Sequence, residues 1–80
     1  MTTLPRNAAN TAETAMHANL SALADRLAEA AKLSDEAAAA CKHGKKNLAI
    51  GIALPIDDLL SQSKALYDAV IALHRHANRE

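Results

Sequence analysis

Four cationic side chains surround one glycine near the middle of the chain: Lys42, His43, Lys45 and Lys46 flank Gly44. Clustered lysines beside the open amides of a helix N-terminus can receive a phosphate or a carboxylate. The spaced glycines and the Ser/Thr of a phosphate-binding loop are absent from this segment. The cluster is therefore a candidate site for a small anionic ligand. Its alternative is a solvated helix end whose positive charge offsets the helix dipole.

Histidines offer a second kind of chemistry. His17 and His74 are expected at adjoining heights of a folded-back chain, where two imidazoles could begin a transition-metal site. Zinc takes three or four ligands, and no cysteine or carboxylate in the sequence obviously completes this pair. We therefore expect no metal and no other cofactor, and regard these two histidines as weak candidates.

The sequence contains no arrangement typical of a catalytic site. No Ser/His/Asp or Cys/His set falls on one helix face, and the carboxylates are spread as on a solvated exterior. Tyr67, the only aromatic residue, suits an interface anchor, and its hydroxyl could also line a ligand pocket between subunits. We expect no enzymatic activity.

Composition excludes further classes. The nine basic and nine acidic side chains balance to a net charge of zero, which argues against nucleic acid as a partner. No apolar run approaches the ~20 residues of a membrane span, and no signal-peptide layout is present, so we expect a cytoplasmic location. The lone Cys41 excludes an intrachain disulfide and is expected to be a small buried residue.

Apolar residues recur at alternating spacings of four and three, which indicates helices packed at a shallow angle. The first series comprises Met16, Leu20, Leu23, Leu27, Ala30, Ser34, Ala37 and Cys41. The second comprises Leu48, Ile52, Ile56, Leu59, Ser63, Leu66, Val70, Leu73 and Ala77. Both serines are expected to bond back to carbonyls of their own helix. The fold class is thus predicted to be all-α.

Gly44 suits the left-handed residue that ends a helix, so the chain is predicted to fold back there. We expect one domain over residues 1–80, with a first helix over about 8–43, a turn at 44–46 and a second helix over about 47–78. Antiparallel pairing then places Leu23 opposite Leu66 and Ala30 opposite Leu59. Every position of one series meets a position of the other.

The helix ends and the proline allow more than one interpretation. Asn10 with Glu13 resembles a capping box, although Pro5 is compatible with an earlier start. Asn47 is a plausible cap for the second helix. Pro55 either kinks one continuous helix or begins a new helix. In a continuous helix its ring would clash with the carbonyl of Gly51, four residues back, where the chain can bend.

The apolar surface is wider than one seam, because further apolar residues flank both series. A face of that width indicates that each helix touches two neighbours. The chain is therefore predicted to assemble with itself, most simply as a dimeric four-helix bundle. The predicted oligomer or partner interface comprises Leu33, Ile50, Leu54, Leu60, Tyr67 and Ile71.

Two functions follow as hypotheses. The first is a protein-interaction, adaptor or inhibitor module that binds another protein. The second is a binder of phosphate-containing or nucleotide-like anions at subunit interfaces, through Lys42, His43, Lys45, Lys46 and Tyr67.

Overall fold

The chain is an antiparallel hairpin of two long helices, as predicted. The computed structural model describes residues 4–77, and their side chains from residue 11 onward. Helix α1 spans Leu4–Lys42 and helix α2 spans Lys46–Ala77, and the two pack along their length. The molecule measures 65 × 17 × 12 Å. Two helices packed side by side form a single layer.

The turn ends α1 with a Schellman motif. Gly44 has φ of 78°, the left-handed conformation predicted for this residue. The Lys45 amide donates to the Ala40 carbonyl at 2.9 Å, and the Gly44 amide donates to the Cys41 carbonyl at 3.0 Å. These two bonds satisfy carbonyls that the last turn of a helix leaves open. The chain reverses within residues 43–45 as a result.

The seam between the helices matches the predicted series on α2 more closely than on α1. On α2, Ser63 and Val70 are buried and Ile52, Ile56, Leu59, Leu66 and Leu73 are half-buried, but the first seam residue is the buried Ala49 and Leu48 is exposed. Ala77, the last member of the predicted series, is exposed too. Apart from its two ends, the predicted stripe is the packed one.

On α1, half of the predicted stripe is wrong by one residue. Ala30 is buried and Met16, Leu23 and Ala37 are half-buried, as expected. The intervening positions, however, are exposed: Leu20, Leu27, Ser34 and Cys41. The residue before each of these is packed instead, namely Asn19, Arg26, Leu33 and Ala40. The helix is turned by about half of the ~100° between successive residues, so Cys41 is not the buried residue that we expected.

Three polar side chains in or beside the seam have hydrogen-bond partners within the hairpin. Arg26 is half-buried, and its Nε donates to Gln62 Oε1 at 2.7 Å, which joins the two helices. Ser34 and Ser63 donate to the carbonyls of Ala30 and Leu59 at 2.8 and 2.7 Å. The prediction that both serines bond back to their own helix is therefore confirmed. The Arg26–Gln62 bond agrees to about one turn with the predicted pairing of Ala30 with Leu59.

Helix α2 runs without a break through Pro55, so the reading in which a new helix begins at the proline is wrong. Helix α1 begins at Leu4, and Asn10 lies well inside it and is not its cap. Asn47 is not a cap either, because the Ala49 amide already donates to the Lys45 carbonyl at 2.9 Å. Within residues 4–77, neither helix is long and apolar enough to cross a membrane.

Candidate functional site

The surface of α1 beside the seam carries a second apolar row. Leu20 and Leu27 are 47% and 46% exposed although both are large and apolar. Ala24, Ala31 and Ala38 are exposed and continue the row at the same alternating spacing of four and three, with the exposed Ser34 between the last two. Residues spaced in this way lie on one side of a helix. Helix α1 therefore presents to solvent a row that is apolar except at Ser34.

Helix α2 carries a matching row. Ile50 is 60% exposed, and Leu60 and Tyr67 are each 51% exposed. Ala53 and Ile71 are half-buried and fall in the same row. Asp57 and Lys64 interrupt the row at two positions and are exposed. Apart from this acid and this base, the row is apolar over most of α2.

Both rows lie on the same broad side of the hairpin. In two antiparallel helices, the residues that come directly after seam residues in sequence lie on one broad side of the pair, and the residues that come directly before them lie on the other. Both rows consist of residues that come directly after seam residues. We name the combined surface the apolar face; it comprises Leu20, Ala24, Leu27, Ala31, Ala38, Ile50, Ala53, Leu60, Tyr67 and Ile71.

The opposite side of the hairpin has a different character. It carries Asp25, Glu29, Lys32, Asp58 and Gln62 together with several alanines and the exposed Leu48. Charged and amide side chains of this kind are typical of a solvated surface. Five of the seven large exposed apolar side chains among the described residues lie on the apolar face, whereas the opposite side carries one, Leu48.

Two members of the predicted interface lie elsewhere. Leu33 is half-buried and in register with the seam residues Ala30 and Ala37, so it contributes to hairpin packing. Leu54 is 70% exposed and points away from α1, at the outer edge of the hairpin. Ile50, Leu60, Tyr67 and Ile71 do lie on the apolar face. Leu20 and Leu27 are not in the predicted interface, because the sequence assigns them to the seam. Their place beside Ala24, Ala31 and Ala38 was the sequence feature that could have indicated their exposure.

The four cations of the hairpin tip are all exposed: Lys42, His43, Lys45 and Lys46. Residues 46–49, which form the first turn of α2, include no acidic side chain. Tyr67 lies 21 positions along α2 from Lys46, which is ~32 Å at 1.5 Å per residue. The tip lysines and Tyr67 therefore do not meet within one chain. The tip by itself is a cluster of positive charge on a solvated turn.

The histidine pair does not build a metal centre. Within the described part of the chain, no three His, Cys, Asp or Glu side chains come together in a way that could hold a metal ion. His17 and His74 are both exposed. A two-histidine arrangement falls short of the ligand number that zinc takes.

A surface ion pair flanks the apolar face on α2. Lys64 Nζ lies 2.8 Å from Asp68 Oδ1 and 3.0 Å from Asp68 Oδ2, one turn along the helix. Both side chains are largely exposed, and such pairs contribute little to stability. Asp57 lies two turns before Lys64 in the same row. The α2 row therefore contains one acid and one base among its apolar residues.

Comparison with known proteins supplies no relative for this arrangement. No protein family, no curated protein and no solved structure matches the chain. The apolar face has therefore to be interpreted from its own chemistry.

Proposed function

We propose that this chain is a non-catalytic protein-interaction module that acts through its apolar face. In this proposal the first occupant of the face is a second copy of the chain, and two hairpins form a four-helix bundle about a two-fold axis. The exposure of Leu20, Leu27, Leu60 and Tyr67 on one side of the hairpin is the observation that carries the proposal. Contiguous exposed apolar surface of this kind is typical of interaction sites.

The surface area supports association. The chain exposes 6047 Å² for a mass of 8.4 kDa. A compact monomer of that mass exposes about 4,600 Å². The difference of roughly 1,400 Å² exceeds the ~800 Å² that each partner contributes to a standard interface. The surplus surface of one hairpin is thus at least as large as its share of a standard interface would be.

The thin core supports the same conclusion. Within residues 11–77, the buried apolar residues are three alanines and one valine: Ala30, Ala40, Ala49 and Val70. Among the described side chains, no large one is completely removed from solvent. Alanine burial yields little transfer free energy compared with the ~1.5–3 kcal/mol of a buried leucine. A layer of helices covering the apolar face would complete a core that the hairpin alone leaves half-built.

An adaptor role would use apolar residues outside the apolar face. Leu48 is 53% exposed on the opposite side of α2, near the tip, and Leu54 lies on the outer edge one and a half turns later. A dimer formed through the apolar face leaves both leucines accessible. They are the proposed contact for a different protein.

The test of self-association compares two glutamate substitutions one residue apart on α1. Leu27→Glu places a charge on the apolar face, whereas Ala28→Glu places the same charge at an exposed position outside it. Sedimentation equilibrium is expected to show twice the 8.4 kDa chain mass for the wild type and Ala28→Glu, and a monomer for Leu27→Glu. A folded wild-type monomer at tens of micromolar, or equal dissociation of both variants, would refute the proposal.

Anion capture at the tip is the second candidate function, favoured by four exposed cations beside an α2 first turn without acidic residues. A ligand that binds only the folded state raises its melting temperature. Thermal melts with inorganic phosphate, pyrophosphate and a nucleoside triphosphate test this function. A shift that disappears in the Lys45→Ala, Lys46→Ala double variant supports the tip as the site; a shift that persists in the double variant excludes it.

A further inference from the structure

We propose that the two hairpins of the dimer pack with their tips at opposite ends of the bundle. Helix α1 then packs against α1 of the other copy, and α2 packs against α2. This inference rests on the proposed self-association through the apolar face. A two-fold axis that brings two such faces together lies in the plane between them. For helices that pack at a shallow angle, this axis runs either along the helices, which places the tips together, or across them, which places the tips apart.

The order of large and small residues on α1 favours tips apart. The large residues, Leu20 and Leu27, lie in the open half of the hairpin, and the small ones, Ala31 and Ala38, lie toward the tip. Antiparallel pairing of α1 with its copy places Leu27 opposite Ala31 and Leu20 opposite Ala38. Dense packing requires this complementarity of volume. With tips together, α1 of one copy faces α2 of the other, and Leu20 lies at the height of Tyr67 and Ile71. Three large side chains then crowd the open end of the bundle.

The α2 row pairs with its copy equally well. Centred within half a residue of Leu60, the antiparallel arrangement places Tyr67 opposite Ala53 and Ile71 within one residue of Ile50. It also places Lys64 of one copy opposite Asp57 of the other, at both symmetry-related positions. Each of the two charges that interrupt the apolar row thus meets an opposite charge. With tips together, Lys64 and Asp57 would face Ala24 and Ala31, so Asp57 would gain no opposite charge from the other copy and Lys64 would keep only Asp68 of its own helix.

The two helices require the same axis, which is an independent check. The α1 pairs are centred on Glu29 and the α2 pairs on Leu60. Within one hairpin these two residues lie within about one residue of the same height, ~1.5 Å, because the Arg26–Gln62 bond across the seam sets Glu29 level with Leu59, next to Leu60. One two-fold axis therefore satisfies both rows at once. Nothing in either row alone imposes this agreement.

Charge at the tip points the same way. Lys42, Lys45 and Lys46 are all exposed, so a bundle with its tips together gathers six lysines at one end. Like charges held within the ~10 Å Debye length repel appreciably at ordinary ionic strength. Opposite placement separates the two clusters by nearly the length of the bundle.

Cys41 provides a native probe, since it is free, exposed and close to the tip. In the arrangement with tips apart, Cys41 of one copy lies at the height of His17 of the other. The two cysteines are then 24 residues apart along the helix axis, or ~36 Å. With tips together they lie at equal height, separated by about one to two interhelical distances of ~10 Å. Electron–electron dipolar spectroscopy on chains with a nitroxide at Cys41 is expected to give the long distance.

A disulfide trap gives a second readout at another exposed position. His17→Cys with the native Cys41 is expected to form a covalent dimer on mild oxidation. The control, His17→Cys with Cys41→Ala, is expected to remain uncrosslinked, because its two cysteines are also ~36 Å apart. A short spin–spin distance in a stable dimer, or a crosslinked control, overturns the orientation and leaves self-association standing. A monomer in sedimentation overturns both proposals.

Discussion

Truncation of Leu60 tests the apolar face most directly. The side chain is 51% exposed in the hairpin and lies at the centre of the proposed interface. Complete burial of a leucine stabilises by about 1.5–3 kcal/mol, so covering its exposed half contributes ~0.8–1.5 kcal/mol per copy. Two-fold symmetry doubles the effect. Leu60→Ala is therefore expected to weaken dimerisation by about 1.5–3 kcal/mol, or roughly 10- to 150-fold in Kd.

Leu54 supplies the matched control. It has the same side chain on the same helix and is even more exposed, at 70%, but it lies on the outer edge. Substitutions that remove no contact change free energies by about 0.5 kcal/mol at most, so Leu54→Ala is expected to alter Kd less than about threefold.

The assay is sedimentation equilibrium over a concentration series, with circular dichroism at the highest concentration to verify that both variants keep their helices. A Kd for Leu60→Ala within threefold of wild type would refute the assignment of the interface. Equal weakening by Leu54→Ala would show that generic apolar surface, and no particular face, drives association.

Three further predictions concern the hairpin itself, each read from urea unfolding at one fixed chain concentration. Gly44→Ala is expected to destabilise the hairpin by about 1–2 kcal/mol, because a Cβ disfavours its φ of 78°. Gly51→Ala is expected to stabilise the hairpin by about 0.5–1 kcal/mol, because a Cβ there meets no described atom within 4 Å. The opposite signs would contradict the turn geometry. Pro55→Ala is expected to stabilise by up to about 3 kcal/mol, because it restores a helix hydrogen bond; an unchanged midpoint would show that the proline costs nothing there. Ser63→Val is expected to cost about 1–3 kcal/mol by overpacking a buried position, whereas a neutral result would reveal spare volume in the seam.

Much of this fold could be predicted from local sequence. Helix-forming composition and the four–three spacing indicate two long helices, because a helix repeats every 3.6 residues whatever surrounds it. Gly44 marks the turn because a left-handed residue strongly favours glycine. The back-bonding of Ser34 and Ser63 follows equally from short-range chemistry, since each hydroxyl reaches a carbonyl of its own helix.

The rotation of α1 could not be predicted in the same way. Two adjacent stripes on this helix compete for the seam. The one through Leu20 and Leu27 is the more apolar, whereas the packed one joins Leu33 and Ala40 to the polar Asn19 and Arg26. The choice between them depends on how closely α2 can approach and on whether Arg26 finds a partner across the seam, which it does in Gln62.

The sequence by itself thus determines that the chain forms two amphipathic helices joined at Gly44, since spacing and propensity act over a few residues. Only the tertiary structure decides which stripe is buried against the other helix and which is left for a partner. That decision needs the relative positions of residues more than thirty apart in sequence, such as Arg26 and Gln62. It moves Leu20 and Leu27 from the seam to the solvent, and with them the surface on which the proposed function rests.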